Sequence, residues 1–167
     1  MNHRKMTFAQ RYELALSLLR NNPVKNCSPQ YLADSLAKGE KKTWFKGDRI
    51  CLKGSSSTEM FIITRGKVSV VRNDSAGIPR QLILLEPPNI IGHMGLLDKS
   101  KRSATCFAIE KTEGLRFSDT TFACFLTEDG LANHAFRQLI MGTMTHQLSL
   151  SNQQFLRLSE AVDARMK

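Results

Sequence analysis

The sequence predicts an α+β domain that is mainly β: a short helical hairpin, then a sandwich or barrel of short strands closed on itself, then one long C-terminal helix. Three observations predict it. Apolar residues recur at helical spacing up to about residue 38, switch to a period of two from Lys41, and return to helical spacing after about residue 129. The period-two segments are short and almost evenly separated by turn residues, which fits a sandwich or barrel and not a βαβ sheet. The chain has 167 residues, 41% apolar and 23% charged, enough for one domain with a buried core.

Taken in order, Thr7 and Gln10 form a T-x-x-Q capping box, and Phe8, Tyr12, Ala15, Leu16 and Leu19 follow at helical spacing. Asn21-Asn22-Pro23 stops that helix. A second helix starts with Ser28 as N-cap and Pro29 at its first position, and ends at Lys38-Gly39. Strands are predicted around Trp44, Ile50, Phe61-Ile63, Val68-Val71, Leu82-Leu85, Ala104-Ile109 and Leu115-Phe117. Lys46-Gly47-Asp48, Gly54-Ser55-Ser56-Ser57, Arg65-Gly66, Asp74-Ser75-Ala76-Gly77 and Pro87-Pro88-Asn89 turn the chain between them. Ser118 caps a brief helix carrying Phe122, Phe125 and Leu126. Three units result: residues 1–40, 41–128 and 129–167.

In the last unit, Phe136, Ile140, Met144, Leu148, Ser151, Phe155, Leu158 and Val162 step by three or four. A stripe this long, ~50 Å at 1.5 Å per residue, outruns a small β domain. Part of it must meet another helix: its copy in a second chain, or residues 7–38.

Several function classes are excluded. No apolar run approaches the ~18 residues of a membrane span, and Gln10, Arg11 and Glu13 break any signal-peptide core. Cys27, Cys51, Cys106 and Cys124 are scattered without a C-x-x-C pair, as in a reduced, cytoplasmic protein. His3, His93, His134 and His146 have no metal-ligand spacing, and neither a nucleophile elbow nor a P-loop is present, so no catalytic or metal residue is assigned. The net charge is +9. Residues 1–53 hold eleven Lys/Arg against four Asp/Glu. A basic region of this kind touches nucleic acid, an anionic surface or an acidic partner, or is a solvated face. No aromatic interleaving marks it as a nucleic-acid platform.

One stretch carries chemistry. Ile91-Gly92-His93-Met94-Gly95-Leu96-Leu97 places two glycines three apart at the start of a short helix, and Arg102-Ser103-Ala104-Thr105 follows at the head of a strand. Helix-start N–H groups attract anions, and an arginine grips a phosphate with two parallel hydrogen bonds, to which a hydroxyl adds another. The physics reads as an anion pocket for a group such as a phosphodiester, or as a turn helix beside a surface arginine.

Residues 41 to about 150 resemble the cyclic nucleotide-binding domain family, as in the catabolite activator protein and the regulatory subunits of cyclic-nucleotide-dependent kinases. The resemblance runs through Gly47-Asp48-x-Ile50 with Gly54, Met60-Phe61-Ile62-Ile63-x-x-Gly66-x-Val68-x-Val70, Leu82-x-Leu84-Leu85, Ile91-Gly92 and Arg102-Ser103-Ala104-Thr105. It implies an eight-stranded jelly-roll β-barrel with helices at both ends. It also implies a regulatory ligand, cyclic AMP (cAMP) or cyclic GMP (cGMP), rather than a cofactor. By resemblance the phosphate goes to Arg102, supported by Ser103 and by the backbone at Gly95 and Leu96. Gly92, His93, Met94 and Ala104 complete the cassette, and Val70 and Leu82 line the base side. Thr143, Gln147 and Ser151 on the long helix close over the ligand. The family usually has Gly-Glu where this chain has Gly92-His93, and loss of a charged hydrogen bond to the ribose costs ~1.5–3 kcal/mol.

With Lys167 as the last residue, no helix-turn-helix unit is expected after the long helix. The resemblance therefore implies a stand-alone bacterial sensor, dimeric through its C-terminal helix and acting on a protein effector. Two alternatives stand beside it: a scaffold of the same fold with no nucleotide ligand, and a nucleic-acid-binding regulator using the basic N-terminal region.

Overall fold

The computed structural model describes residues 5–22 and 24–165; His3 and Pro23 lie outside them. The helical hairpin forms as α1 (Phe8–Asn21) and α2 (Pro29–Leu36). The capping box at its start is complete: Thr7 Oγ1 accepts from the Gln10 amide, and Gln10 Oε1 accepts from the Thr7 amide. Pro29 sits in the first turn of α2, where its missing N–H costs nothing.

Eight strands follow: β1 (Glu40–Trp44), β2 (Arg49–Cys51), β3 (Glu59–Arg65), β4 (Val68–Asn73), β5 (Pro79–Leu85), β6 (Asn89–Ile91), β7 (Thr105–Ala108) and β8 (Thr112–Ser118). Seven match the predicted segments. The eighth, β6, has three residues directly after Pro87-Pro88, too few to display a period. All pairings are antiparallel, and the strands divide into two four-stranded sheets, β1-β8-β3-β6 and β2-β7-β4-β5. The helices α3 (His93–Leu97), α4 (Asp119–Thr127) and α5 (Leu131–Arg165) complete the order. Ser118 caps α4 through the Thr121 amide, as its position predicts.

Two cores share the first sheet. Trp44, Phe61, Ile63 and Ile91 face the second sheet, where they meet Ile50, Val68, Cys106 and Ala108. On the opposite face Met60, Ile62, Ile90, Leu115 and Phe117 meet the helices. Alternation explains both, since successive strand residues point to opposite faces. It also explains why Met60-Phe61-Ile62-Ile63 is continuously apolar: each face of β3 is buried. At the centre of the helical core Phe136 stacks on Phe125 at 3.9 Å between ring centroids and touches Phe117 at 5.5 Å and Phe122 at 6.3 Å.

The long helix lives in two environments. Ala135, Phe136, Leu139 and Ile140 are buried in the helical core with α2 and α4. So residues 7–38 do cover the first part of the predicted stripe. Beyond Thr143 the apolar residues are uncovered, with Phe155 72% exposed and Leu158 67%.

Phe136→Ala is expected to remove the ring that joins three others and to cost about 4 kcal/mol, read as a lower midpoint in urea denaturation with an unchanged slope.

Candidate functional site

A cavity of about 390 Å³ opens between the second sheet, the α3 segment and the middle of α5. Arg102 is in its wall. The side chain is 7% exposed. Its Nη1 donates to the Gly92 carbonyl at 3.0 Å and its Nη2 to the Glu59 carbonyl. A guanidinium has five N–H donors, so these two bonds fix its plane and leave three donors unassigned. The Glu59 carboxylate is engaged elsewhere, by Arg116. The Arg102 main chain is clamped as well: its amide donates to Ser55 O at 2.9 Å and its carbonyl accepts from Gly54 N at 2.8 Å.

Both glycines of the cassette are required. Gly92 has φ +83°, a left-handed conformation that only glycine adopts cheaply, and a Cβ there would overlap Arg102 Nη1. A Cβ on Gly95 would overlap the Ser57 hydroxyl and approach Ser100 O at 2.8 Å. The Gly54–Ser57 turn is thus packed directly beneath α3 and against Arg102.

Three buried polar atoms at this cavity have no hydrogen-bond partner: Ser57 Oγ, His93 Nδ1 and His93 Nε2. Unmet buried groups cost roughly 1–3 kcal/mol each, so their convergence on one cavity marks a place where water or a polar ligand would complete the bonding. His93 is 3% exposed. Burial drives its imidazole well below the usual value, to about 4, and Gln147 opposes that shift. Gln147 approaches the ring without a well-formed bond to either nitrogen. The ring is neutral at pH 7, with one donor and one acceptor to offer. Lys101 and Arg102 bring positive charge to the lining, and no Asp or Glu is part of it.

A larger groove, about 1010 Å³, lies between the N-terminal hairpin and β1/β8, lined by Lys5, Arg11, Lys41, Lys42 and Arg116 among others. It is the less specific concavity, because none of the unpartnered buried atoms opens into it. Among the described residues no group of His, Cys, Asp and Glu is placed to hold a metal ion, and no helix is long and apolar enough to cross a membrane.

The cassette and its inward arginine lie within the segment that a known family model matches. The model of the cyclic nucleotide-binding domain matches residues 41–129, more than half of the chain. The chain belongs to the cyclic nucleotide-binding domain family. The family's domain is a binding module, not an enzyme. The chain is 27% identical over 113 residues to the cyclic AMP receptor protein of Thermus thermophilus, a match covering 68% of this chain and 52% of that protein. It therefore spans about half the length of that relative. Among solved structures, the catabolite activator protein of Thermus thermophilus superposes with a TM-score of 0.67 at 24% identity, covering 86% of this chain and 63% of that one. A cyclic nucleotide-binding domain from Methylobacillus flagellatus gives 0.76 at 17% identity, covering 93% and 88%. These likenesses speak for the fold.

Within the family's frame, Gly92, His93, Met94, Gly95, Arg102, Ser103, Ala104, Val70, Gln147 and Ser151 line the cavity together. Two expectations need correction, at Leu82 and Thr143. Leu82 stands outside, 58% exposed, and Ile83 and Leu85 line the wall instead. Val70 is opposite Ile83, beside a bulge in the β4–β5 pairing, and a slip of one residue puts the neighbour on the other face. Thr143 is buried with its hydroxyl donating to Leu139 O at 2.8 Å, one turn back along its own helix, and does not reach the cavity. Leu96, expected to act through its backbone alone, turns its side chain into the helical core. Sequence reasoning missed Ser57, Cys51, Cys106, Leu150 and Gln154, which also line the cavity. Ser57 was concealed in a turn signal, and Gln154 extends the polar i, i+4, i+7 face of Gln147 and Ser151.

The depressed histidine has a consequence for stability. In the unfolded chain His93 takes up a proton near pH 6.5, while in the folded protein it resists until about 4. Its contribution is therefore complete above the higher value and lost as pH falls through this window. Between pH 7 and pH 4.5 the protein is expected to lose roughly 2–3 kcal/mol more than a His93→Gln variant, measured by denaturant midpoints at both pH values.

Proposed function

We propose that the chain is a cyclic nucleotide sensor that reports ligand occupancy to a protein partner through its long C-terminal helix. The observation that carries this reading is the buried Arg102, with free donors, in a cavity where Ser57 and His93 also lack partners. In this reading the phosphodiester rests on Arg102 and Ser103, and the neutral His93 ring accepts from the ribose hydroxyl in place of a carboxylate. The base lies among Val70, Ile83 and Leu85 on one side and Gln147, Leu150, Ser151 and Gln154 on the other. Because the last four belong to α5, a bound base biases the position of that helix, and a partner that distinguishes the two helix positions reads the ligand.

The uncovered half of α5 supports a homodimer. Met141, Met144, Leu148, Ser151, Phe155, Leu158 and Val162 alternate steps of three and four, the a/d spacing of a two-helix seam, and all of them are exposed or half-exposed. Two copies joined along this stripe would cover it. The sensor is placed in the cytoplasm, in keeping with its four unpaired cysteines.

Titration calorimetry with cAMP and with cGMP is expected to show binding of at least one. Arg102→Ala should weaken it by about ten- to a hundredfold, the worth of a charge-assisted hydrogen bond, and His93→Glu should tighten it. Absence of heat with either nucleotide favours the ligand-free scaffold. Leu158→Glu is expected to convert the dimer to monomers in sedimentation velocity; a persistent dimer places the seam elsewhere.

A further inference from the structure

Cys51 and Cys106 face each other directly across the antiparallel β2–β7 pairing, and both line the cavity beside Arg102. Opposed residues of an antiparallel pair share a face, with Cα atoms ~4.5–5.5 Å apart. A disulfide requires Cα atoms ~4.4–6.8 Å apart, a range that includes the usual spacing of opposed strand residues. Adjacent Ile50 and Cys51 both turn toward the inter-sheet core because the register shifts between Arg49 and Cys51. Cys51 is half-buried at the cavity wall, and Cys106 is buried behind it. The other two free cysteines sit elsewhere: Cys27 against the helical core and Cys124 on α4.

We propose that Cys51 and Cys106 form a redox-modification site in the wall of the ligand cavity, oxidised by a hydroperoxide to an intramolecular disulfide. The environment divides the roles. The neighbouring Cys106 thiol, and then the Arg102 charge, lower the Cys51 thiol to about 7 against the opposing effect of burial. Cys106 is pushed up by Cys51 and by burial, and stays protonated. Cys51 thiolate attacks hydrogen peroxide and the O–O bond breaks, giving Cys51 sulfenic acid and hydroxide, which leaves as water with the proton that Cys51 released on ionising. The Cys106 sulfur then attacks the Cys51 sulfur; the S–S bond forms, the S–O bond breaks, and the departing hydroxide leaves as water with the Cys106 proton. Two thiols lose two electrons and two protons, and one peroxide becomes two waters.

The bridge also acts on the anion-holding segment. Cys51 Sγ donates to Ala104 O at 3.7 Å, two residues from Arg102, and oxidation removes that donor. This coupling rests on the nucleotide reading above; the bridge itself does not.

The decisive protein is Cys27→Ser/Cys124→Ser, which keeps only the proposed pair. Treated with hydrogen peroxide, it is expected to fall from two alkylatable thiols to none, lose two mass units, stay monomeric on non-reducing gels, and recover with dithiothreitol. With Cys106→Ser added, dimedone should label Cys51. Persistence of both thiols, cross-linked dimers, or stepwise gain of oxygen without a bridge overturns the site. Calorimetry with cAMP and cGMP on reduced and bridged protein reads the coupling, expected as at least fivefold weaker binding after oxidation. Equal affinity overturns the coupling alone. No heat from the reduced protein sinks the nucleotide reading and the coupling with it, while the mass shift still decides the bridge.

Discussion

One buried guanidinium organises the ligand side of this molecule. A positive charge taken out of water needs partners, and Arg102 finds them in two main-chain carbonyls, at Gly92 and Glu59. That requirement fixes much else. Gly92 must be glycine because the arginine occupies the space of its Cβ, and the 54–57 turn must fold under α3 because it holds the Arg102 backbone. The Glu59 carbonyl ties the pocket to β3, whose residues Met60, Phe61, Ile62 and Ile63 are buried, so the arginine is braced by the core rather than by a loop. Side chain, turn and cassette form one unit, and no member keeps its geometry without the other two.

The sequence was most readable where local rules and tertiary packing agree. Thr7, Gln10, Pro29 and Ser118 announce helix starts through short-range hydrogen bonds or a fixed φ, so their roles do not depend on distant residues. Strand positions followed from alternation until a bulge or a short length intervened. The bulge beside Val70 exchanged Leu82 for Ile83, and three residues of β6 were too few to show a pattern. In the site, Arg102 and the glycines were legible because their chemistry is distinctive. Ser57 and the facing Cys51 and Cys106 were not, because they become neighbours only when separate strands and turns are brought together. Thr143 shows the reverse: its spacing matched the ligand face, but a hydroxyl on a helix bonds readily to the preceding turn.

The departure at His93 changes what the cavity asks of a ligand. A carboxylate at this position would balance Arg102 and accept two hydrogen bonds. A neutral imidazole balances nothing and offers one donor and one acceptor. With Lys101 and Arg102 in the lining and no acid there, the field inside is set by cations. In the proposed nucleotide reading, negative charge on the ligand would therefore weigh more in recognition than the sugar hydroxyl.

The first sheet separates two interiors. One face belongs to the ligand-side core and the other to the helices, and both are filled to contact. A layer packed tightly on both sides has little free volume, so the sheet holds its shape as the common wall of both. Its margin differs: there β6 passes into α3, and the cavity opens toward α5. In the sensor proposed above, a helix displacement would start from these two places, the β6–α3 junction and the cavity face of α5.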